Sequence, residues 1–211
     1  MIVSQRLEQA DASHTRLLAQ YAKASFKTAD IEGRLATLVR DKPIVELRTE
    51  GGELFFVKRS MSDAEFSYKV FRTEVSAIIG DTAIGFCEIK KLANGICMIA
   101  DAEVEPSYQR HGIATSVYDL ITSDMADVGG LLWPVSPKTM SDGEFKVWWR
   151  RSPALVFYYP HRDRLGLTPR AEFDELFNET LNSGIWEKGV AYCSALLSRI
   201  RRFVGFGSVR R

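Results

Sequence analysis

The sequence contains few of the residues that would support a disulfide-stapled, metal-bound or membrane-spanning protein. It has three cysteines and three histidines in 211 residues, and none of them shows the spacing of a zinc site. Cys87, Cys97 and Cys193 lie in apolar stretches, which predicts small buried thiols in a reducing compartment. No apolar run approaches the ~18 residues that a membrane-spanning helix needs.

An excess of charge of either sign is also missing. There are 28 Lys and Arg residues against 27 Asp and Glu residues, for a net charge of +1, so no overall field favours nucleic acid or membrane. The N-terminal segment has no apolar core of signal-peptide length, and together with the thiols this predicts a cytoplasmic protein. At 45% hydrophobic and 26% charged residues, the chain is long enough to bury a core of its own.

Hydrophobic spacing predicts a mixed chain of strands and helices. Residues 4–40 follow a helical period that is interrupted near 28–33, and 44–60 predict a hairpin around Gly51-Gly52. The segment 66–80 begins as a strand, with a helix as the alternative for its second half. A helix is predicted after residue 112 and a short one within 136–151. Further strands are predicted over residues 82–92, 96–106, 131–135 and 155–160.

The predicted elements form one domain over residues 1–165 and a C-terminal helical extension over 166–211. From Trp186 to Val204 the extension has apolar residues at alternating spacings of about three and four, a stripe that must be buried. The sequence predicts that this stripe packs on the domain itself or forms a homodimer contact. Arginines near the end leave a membrane or nucleic-acid contact as the alternative.

A polar, basic stretch with a central glycine, SYQRHGIATSV at residues 107–117, connects a predicted strand to a predicted helix. A helix N-terminus presents unpaired backbone N–H groups and a partial positive charge, and phosphates bind there. Gly112 lets the backbone approach such a ligand closely. Residues 109–115 therefore predict a pyrophosphate cradle, and the alternative is an ordinary solvated loop before a helix.

The segment QRHGIA at residues 109–114 resembles the Gln/Arg-x-x-Gly-x-Gly/Ala signature of the GNAT acyltransferase superfamily. In that superfamily the signature lies between the fourth strand and the third helix, and here Val104 and Pro106 lead into it. The resemblance covers about residues 60–160. It implies an α/β (α+β) fold with a GNAT-like mixed, mostly antiparallel central sheet flanked by helices.

The resemblance also implies a reaction. GNAT enzymes transfer an acyl group from acetyl-CoA or another acyl-CoA directly to an amine, without a metal, so the expected acceptor is an amine on a small molecule or a protein. By analogy the acyl-CoA would be held by backbone and side-chain groups of Ala102, Val104, Gln109, Arg110, His111, Gly112, Ile113, Ala114 and Thr115. The Val104 N–H would polarise the thioester carbonyl.

The sequence indicates the groups that would transfer protons less clearly than it indicates the acyl-CoA site. Asp101, Glu103 and Glu105 alternate along one strand, so they share a face, and Glu103 is the preferred general base. In many family members a tyrosine on the fourth helix is the acid, but here that helix reads GEFKVWWRR. Tyr158 and Tyr159 on the next predicted strand, and then His161, are the substitutes.

This departure from the family pattern keeps a second hypothesis open, a non-catalytic GNAT-like module that binds acyl-CoA or partners. Trp133, Trp148 and Trp149 either line the acceptor or cofactor channel or belong to the core.

Overall fold

The computed structural model describes residues 2–23, 31–62, 65–92 and 95–168. The chain divides into two compact units, one of residues 25–156 and one of residues 1–24 with 157–211. The apolar stripe from Trp186 to Val204, and the homodimer contact predicted for it, lie outside the described residues.

The larger unit is built on a six-stranded sheet whose strands lie in sequence order. All neighbouring pairs are antiparallel except the last, which is parallel. The mixed, mostly antiparallel sheet that the sequence predicted is therefore confirmed. The strands are β1 (Ile44–Arg48), β2 (Leu54–Met61), β3 (Glu65–Phe71), β4 (Gly85–Lys91), β5 (Ile96–Val104) and β6 (Leu131–Trp133).

The described residues also form helices. They are α1 (Ile2–Lys23), α2 (Ile31–Asp41), α3 (Glu74–Ile79), α4 (Ile113–Val128), α5 (Asp142–Arg151), α6 (Pro153–Val156) and α7 (His161–Arg164). Only α1 and α7 belong to the smaller unit. In α4 the residues Val117, Ile121, Met125 and Val128 recur at helical spacing and are buried, so this apolar stripe turns toward the sheet.

A buried ion pair joins α4 to the sheet. The Arg59 guanidinium donates two hydrogen bonds to Asp124, from Nε to Oδ2 at 2.7 Å and from Nη2 to Oδ1 at 2.6 Å. The Tyr68 hydroxyl donates to Oδ2 at 3.0 Å, and Arg59 Nη1 donates to the Lys42 carbonyl at 2.9 Å. Burial raises the pKa of Asp124, while the guanidinium and the hydroxyl oppose that rise. We call Arg59, Tyr68 and Asp124 the Asp124 cluster.

Most predicted elements are confirmed within the described residues. The predicted hairpin forms as β1 and β2, and the second half of 66–80 is a helix, α3. The strand predicted over 155–160 is wrong, because the chain forms α6 and then turns. A short apolar run does not distinguish strand from helix, and Pro153 at the first helical position favours the helix.

Among the described residues, no helix has both the length and the apolar character needed to cross a membrane, and no three metal-ligating side chains are grouped to hold an ion. Cys87 and Cys97 are buried free thiols, as the sequence predicted. Burial raises the pKa of both thiols, that of Cys97 to about 11.

Candidate active-site cleft

A β-bulge in β5 gives this strand two different halves. Glu88 pairs with Asp101 and Ile89 pairs with Ile99, so Ala100 is an extra residue on β5. Before the bulge, the odd-numbered Ile99 lies on the buried face of the sheet. After it, Ala102 pairs with the buried Cys87, while Asp101 and Glu103 share the opposite face. Residues 100–103 are all exposed.

The second half of β5 has an open edge. Strand β6 pairs with β5 only at residues 96–98, and beyond them no strand of the described residues covers that side. Glu105 N–H donates to Ile84 O next to β4 at 2.9 Å. Because backbone groups alternate in direction along a strand, the N–H and C=O groups of Ala102 and Val104 point to the open edge. The Val104 carbonyl accepts a hydrogen bond there from Gln109 Nε2 at 3.0 Å.

The turn after β5 leads directly into the N-terminus of α4. A 3₁₀ turn spans Pro106–Tyr108, and Gly112 caps the helix at φ 80° without a side-chain cap. The first helical hydrogen bond is from Ser116 N–H to Gly112 O, at 3.0 Å. The N–H groups of Ile113, Ala114 and Thr115 precede it, so they have no acceptor within the helix. They are a preformed set of donors for an anion.

The rim of this N-terminus carries the two basic residues of the motif. Arg110 is exposed and has φ 69°, an uncommon conformation for a residue other than glycine. The His111 ring lies 2.8 Å from Glu53 Oε2, so it is engaged by the turn between β1 and β2. A Cβ added at Gly112 would lie 3.5 Å from Thr49 Cβ, in ordinary contact. Strain at φ 80°, and not lack of space, is therefore what favours glycine at this position.

A cleft of about 490 Å³ extends from Ala114 on α4 along the open edge of β5 to the first turn of α5. Gln109, Ala102, Glu103 and Val104 also line it. The cleft thus connects the free amides of α4, the free backbone edge of β5 and a pair of carboxylates. A phosphate-bearing ligand with an extended, amide-containing arm fits this arrangement.

Glu144 in the first turn of α5 lines the same cleft, and the sequence predictions missed it. Ser141 caps α5 and accepts a hydrogen bond from Glu144 N at 3.1 Å. Ser-x-x-Glu before an apolar run is the capping-box pattern, and that pattern was the available signal. Burial is the largest effect and raises the pKa of Glu144 to about 7, while Trp148, Tyr118 and the Ser141 N–H oppose the rise.

The Glu144 carboxylate is nevertheless incompletely satisfied. Its Oε1 is enclosed and has no partner at hydrogen-bond geometry in the part of the chain that the structure describes, and the same is true of Trp148 Nε1. The indole is close enough to the carboxylate to lower its pKa, but no hydrogen bond of normal distance and angle joins the two groups.

Asp101 and Glu103 lie together on the exposed face of β5 and both line the cleft. Strand β5 ends at Val104, two residues before the predicted end, so Glu105 lies just beyond the strand. It precedes the 3₁₀ turn that begins at Pro106.

Tyr158, Tyr159 and His161 belong to the smaller unit and are not on a strand. Tyr159 is buried, with its hydroxyl 2.6 Å from His14 Nδ1, and Tyr158 is 36% exposed. Their predicted catalytic role was based on a strand that does not form, and that role stays a prediction.

Two of the three tryptophans of α5 and β6 are core residues. Trp133 and Trp148 are buried, and the Trp149 ring stacks on Phe145 at a centroid distance of 5.7 Å. None of the three is among the residues that line the cleft. The core interpretation is therefore confirmed for Trp133 and Trp148.

The sequence model of the acetyltransferase (GNAT) family matches residues 42–138. This range contains the sheet, the open edge of β5 and all of α4. Residues 42–138 form a GNAT acetyltransferase domain. The family resemblance predicted from the motif at 109–114 is thereby confirmed. Acyl transfer is the chemistry of this family, and acyl-CoA is its usual co-substrate.

Similar solved structures include a cAMP-binding acyltransferase from Mycobacterium smegmatis, at 13% identity and a TM-score of 0.40, over 55% of this chain and 47% of that one. A variant of that acyltransferase aligns at 10% identity and a TM-score of 0.42, over 61% and 51% of the two chains. This chain thus spans about half the length of those structures. No curated protein matches the sequence.

Proposed function

We propose that this protein is an acyl-CoA-dependent N-acyltransferase that transfers an acyl group, most simply acetyl from acetyl-CoA, to an amine acceptor. The observation that carries the proposal is the continuity of the cleft from the N-terminus of α4 to the open edge of β5. Acyl-CoA has the matching chemistry, a pyrophosphate at one end, two amides in its arm and a thioester at the other end.

Each part of the cleft has a role in this proposal. The free N–H groups of Ile113, Ala114 and Thr115 bind the pyrophosphate, since the helix dipole adds to their attraction. The backbone of Ala102 and Val104 pairs with the amide arm as a neighbouring strand would. The Val104 N–H, which points to the open edge, donates to the thioester carbonyl oxygen as negative charge develops on it.

The charges of the cleft support an amine as the acceptor. Arg110 and His111 are exposed at the phosphate end, whereas Asp101 and Glu103 are exposed where the β5 edge is open. Carboxylates attract a protonated amine, and in this proposal Glu103 accepts its proton before or during attack. We further propose a reducing compartment, the cytoplasm, because Cys87 and Cys97 are free thiols.

Ala114→Glu tests the phosphate site. Ala114 is exposed, lines the cleft and is the second residue of α4, where a helix tolerates Glu well. A carboxylate ~6 Å from one phosphate charge costs about 3 kcal/mol at an effective dielectric constant of ~20. Calorimetric titration with acetyl-CoA should therefore show ~100-fold weaker binding.

Ala114→Gln is the matched control, since it has the same length without the charge, and we expect less than ~10-fold weaker binding from it. Equal effects of Glu and Gln would mean that no anion binds at this end. If the wild-type protein does not bind acetyl-CoA, the proposed function is wrong. Binding without thiol release in the presence of any of a panel of amines would favour a binding module.

A further inference from the structure

Transfer from a thioester to an amine requires a proton donor for the leaving sulfur. A thiolate is a better leaving group when an acid protonates it during bond cleavage. Helix α5, the segment where many GNAT enzymes place a tyrosine, contains none. Within the described residues, the side chains that line the cleft and carry an O–H or S–H group near this helix include Cys87, Tyr118, Ser141 and Glu144.

Three of these four groups are poor acids at neutral pH. Burial raises the pKa of the Cys87 thiol and of the Tyr118 hydroxyl well above their ordinary values, and the Glu144 charge raises both further. The Ser141 hydroxyl accepts the helix-capping hydrogen bond from Glu144 N and is an alcohol. Glu144 alone combines a carboxyl group, a place on the cleft wall and an enclosed Oε1 without a partner at hydrogen-bond geometry.

A capping box alone does not explain this arrangement. In a capping box the glutamate reaches back to the N-cap N–H, and it does so equally well at the surface. Here Tyr118 of α4 and Trp148 of α5, which are both buried, are close enough to the carboxylate to affect its pKa. Enclosing a carboxyl group with an unsatisfied oxygen is unfavourable, and such sites are often functional.

We propose that Glu144 is the catalytic acid of this cleft, and that its carboxyl donates a proton to the sulfur of coenzyme A as the thioester carbon–sulfur bond breaks. The inference rests on the proposed N-acyltransferase function. The amine nitrogen forms the new bond to the carbonyl carbon and loses one proton to Glu103 or to water. The sulfur takes the bonding electron pair and one proton from Glu144. Solvent then reprotonates Glu144, so protons and charge balance over one turnover.

The charged and titratable groups around Glu144 set its pH behaviour. They are Tyr118 on α4, Cys87 on β4, and Asp101 and Glu103 on β5. Tyr118 favours the ionised form of Glu144, but burial favours the protonated form and is the larger effect. A bound acyl-CoA arm would exclude water from the cleft and favour that form further.

Glu144→Gln is the central variant, because Gln keeps the size of the side chain and also serves in a capping box. With acetyl-CoA and the best amine of a panel, kcat should fall by ~100-fold, while KM for acetyl-CoA changes by less than about threefold. Asp142→Asn is the matched control, since it removes an exposed carboxylate from the same helical turn, and it should leave kcat unchanged. The wild-type kcat should decline as pH rises through and above about 7. This decline should be absent from the pH profile of Glu144→Gln.

A binding measurement provides a readout that does not depend on turnover. Free coenzyme A is titrated into the protein at pH 7.5 in two buffers of different ionisation enthalpy, which reveals proton uptake. Wild type and Asp142→Asn should take up a fraction of a proton, and Glu144→Gln should take up less. Adenosine 3′,5′-bisphosphate, which lacks the thiol arm, should show no difference between wild type and Glu144→Gln.

The outcomes separate the two proposals. Absence of coenzyme A binding in the wild type contradicts the proposed function itself. Binding with equal proton uptake and equal kcat in wild type and Glu144→Gln overturns the role of Glu144 and leaves the proposed function intact. If Tyr118→Phe lowers kcat by ~100-fold and Glu144→Gln does not, the tyrosine is the donor and the inference is wrong.

Discussion

The Asp124 cluster gives the strongest prediction about stability. Arg59 and Asp124 are each 4% exposed and form a bidentate pair between β2 and α4. Asp124→Asn removes the negative charge and leaves the guanidinium buried with a neutral partner. Breaking one side of a buried pair costs about 3–5 kcal/mol, whereas losing one hydrogen bond to a charged group costs about 1.5–3 kcal/mol. Asp124→Asn should therefore destabilise the fold more than Tyr68→Phe does.

Unfolding in guanidinium chloride, followed by tryptophan fluorescence, measures the stabilities of the two variants, because Trp133 and Trp148 are buried in the same unit. A loss of ~4 kcal/mol would lower the melting temperature by roughly 10 °C in a chain of this size. The double variant Arg59→Met with Asp124→Leu removes both charges, and it should be more stable than either single variant. Additive losses in the double variant, or an Asp124→Asn loss below that of Tyr68→Phe, would refute this reasoning.

Two further predictions concern the first turn of α5. Burial raises the pKa of Glu144 from its ordinary value of 4.5 to about 7. The folded protein therefore holds a proton that the unfolded chain releases, and this lowers its stability as pH rises from about 4.5 to 7. Glu144→Gln should relieve that loss. The stability of the variant relative to the wild type should therefore be higher at pH 8 than at pH 4.5, by up to about 3 kcal/mol. A relative stability that does not vary with pH would show that the carboxyl is not enclosed in solution. Ser141→Ala removes the N-cap hydrogen bond from Glu144 N and should lower the free energy of unfolding by about 1 kcal/mol, measured by thermal unfolding. Thr73→Ala, which removes the N-cap of α3, should have an effect of the same size. Unchanged stability in Ser141→Ala would mean that another group caps α5.

The sequence predicted the parts of the site that depend on backbone order. The glycine-centred motif at 109–114 marked the start of α4, and the Asn-Gly and Gly-Gly turns marked the antiparallel strands before it. These signals are local, since a turn or a helix cap depends on a few adjacent residues. The same reasoning placed Asp101 and Glu103 on one face of β5, where the structure has them.

The parts that the sequence did not predict depend on contacts between distant segments. The Asp124 cluster joins residues 65 positions apart in the chain, and neither Arg59 nor Asp124 stands out in the sequence. Glu144 reads as an ordinary capping residue until α4 and α5 enclose it. Tyr158 and Tyr159 were expected on a strand because an apolar aromatic run fits a buried strand and a short helix equally well.

The bulge at Ala100 shows how one residue can change what a strand presents. Before it, Cys97 and Ile99 lie on the buried face, and after it the exposed Ala102 lies on that same side, paired with the buried Cys87. With strict alternation, the side chains on the side of Cys97 and Ile99 would continue as Asp101 and Glu103. The acidic pair would then point into the apolar interior, and Ala102 and Val104 would point to solvent. A single inserted residue thus lets a core strand continue as the wall of the cleft. A homologue that lacked it would need a different pattern of apolar and acidic residues after position 99.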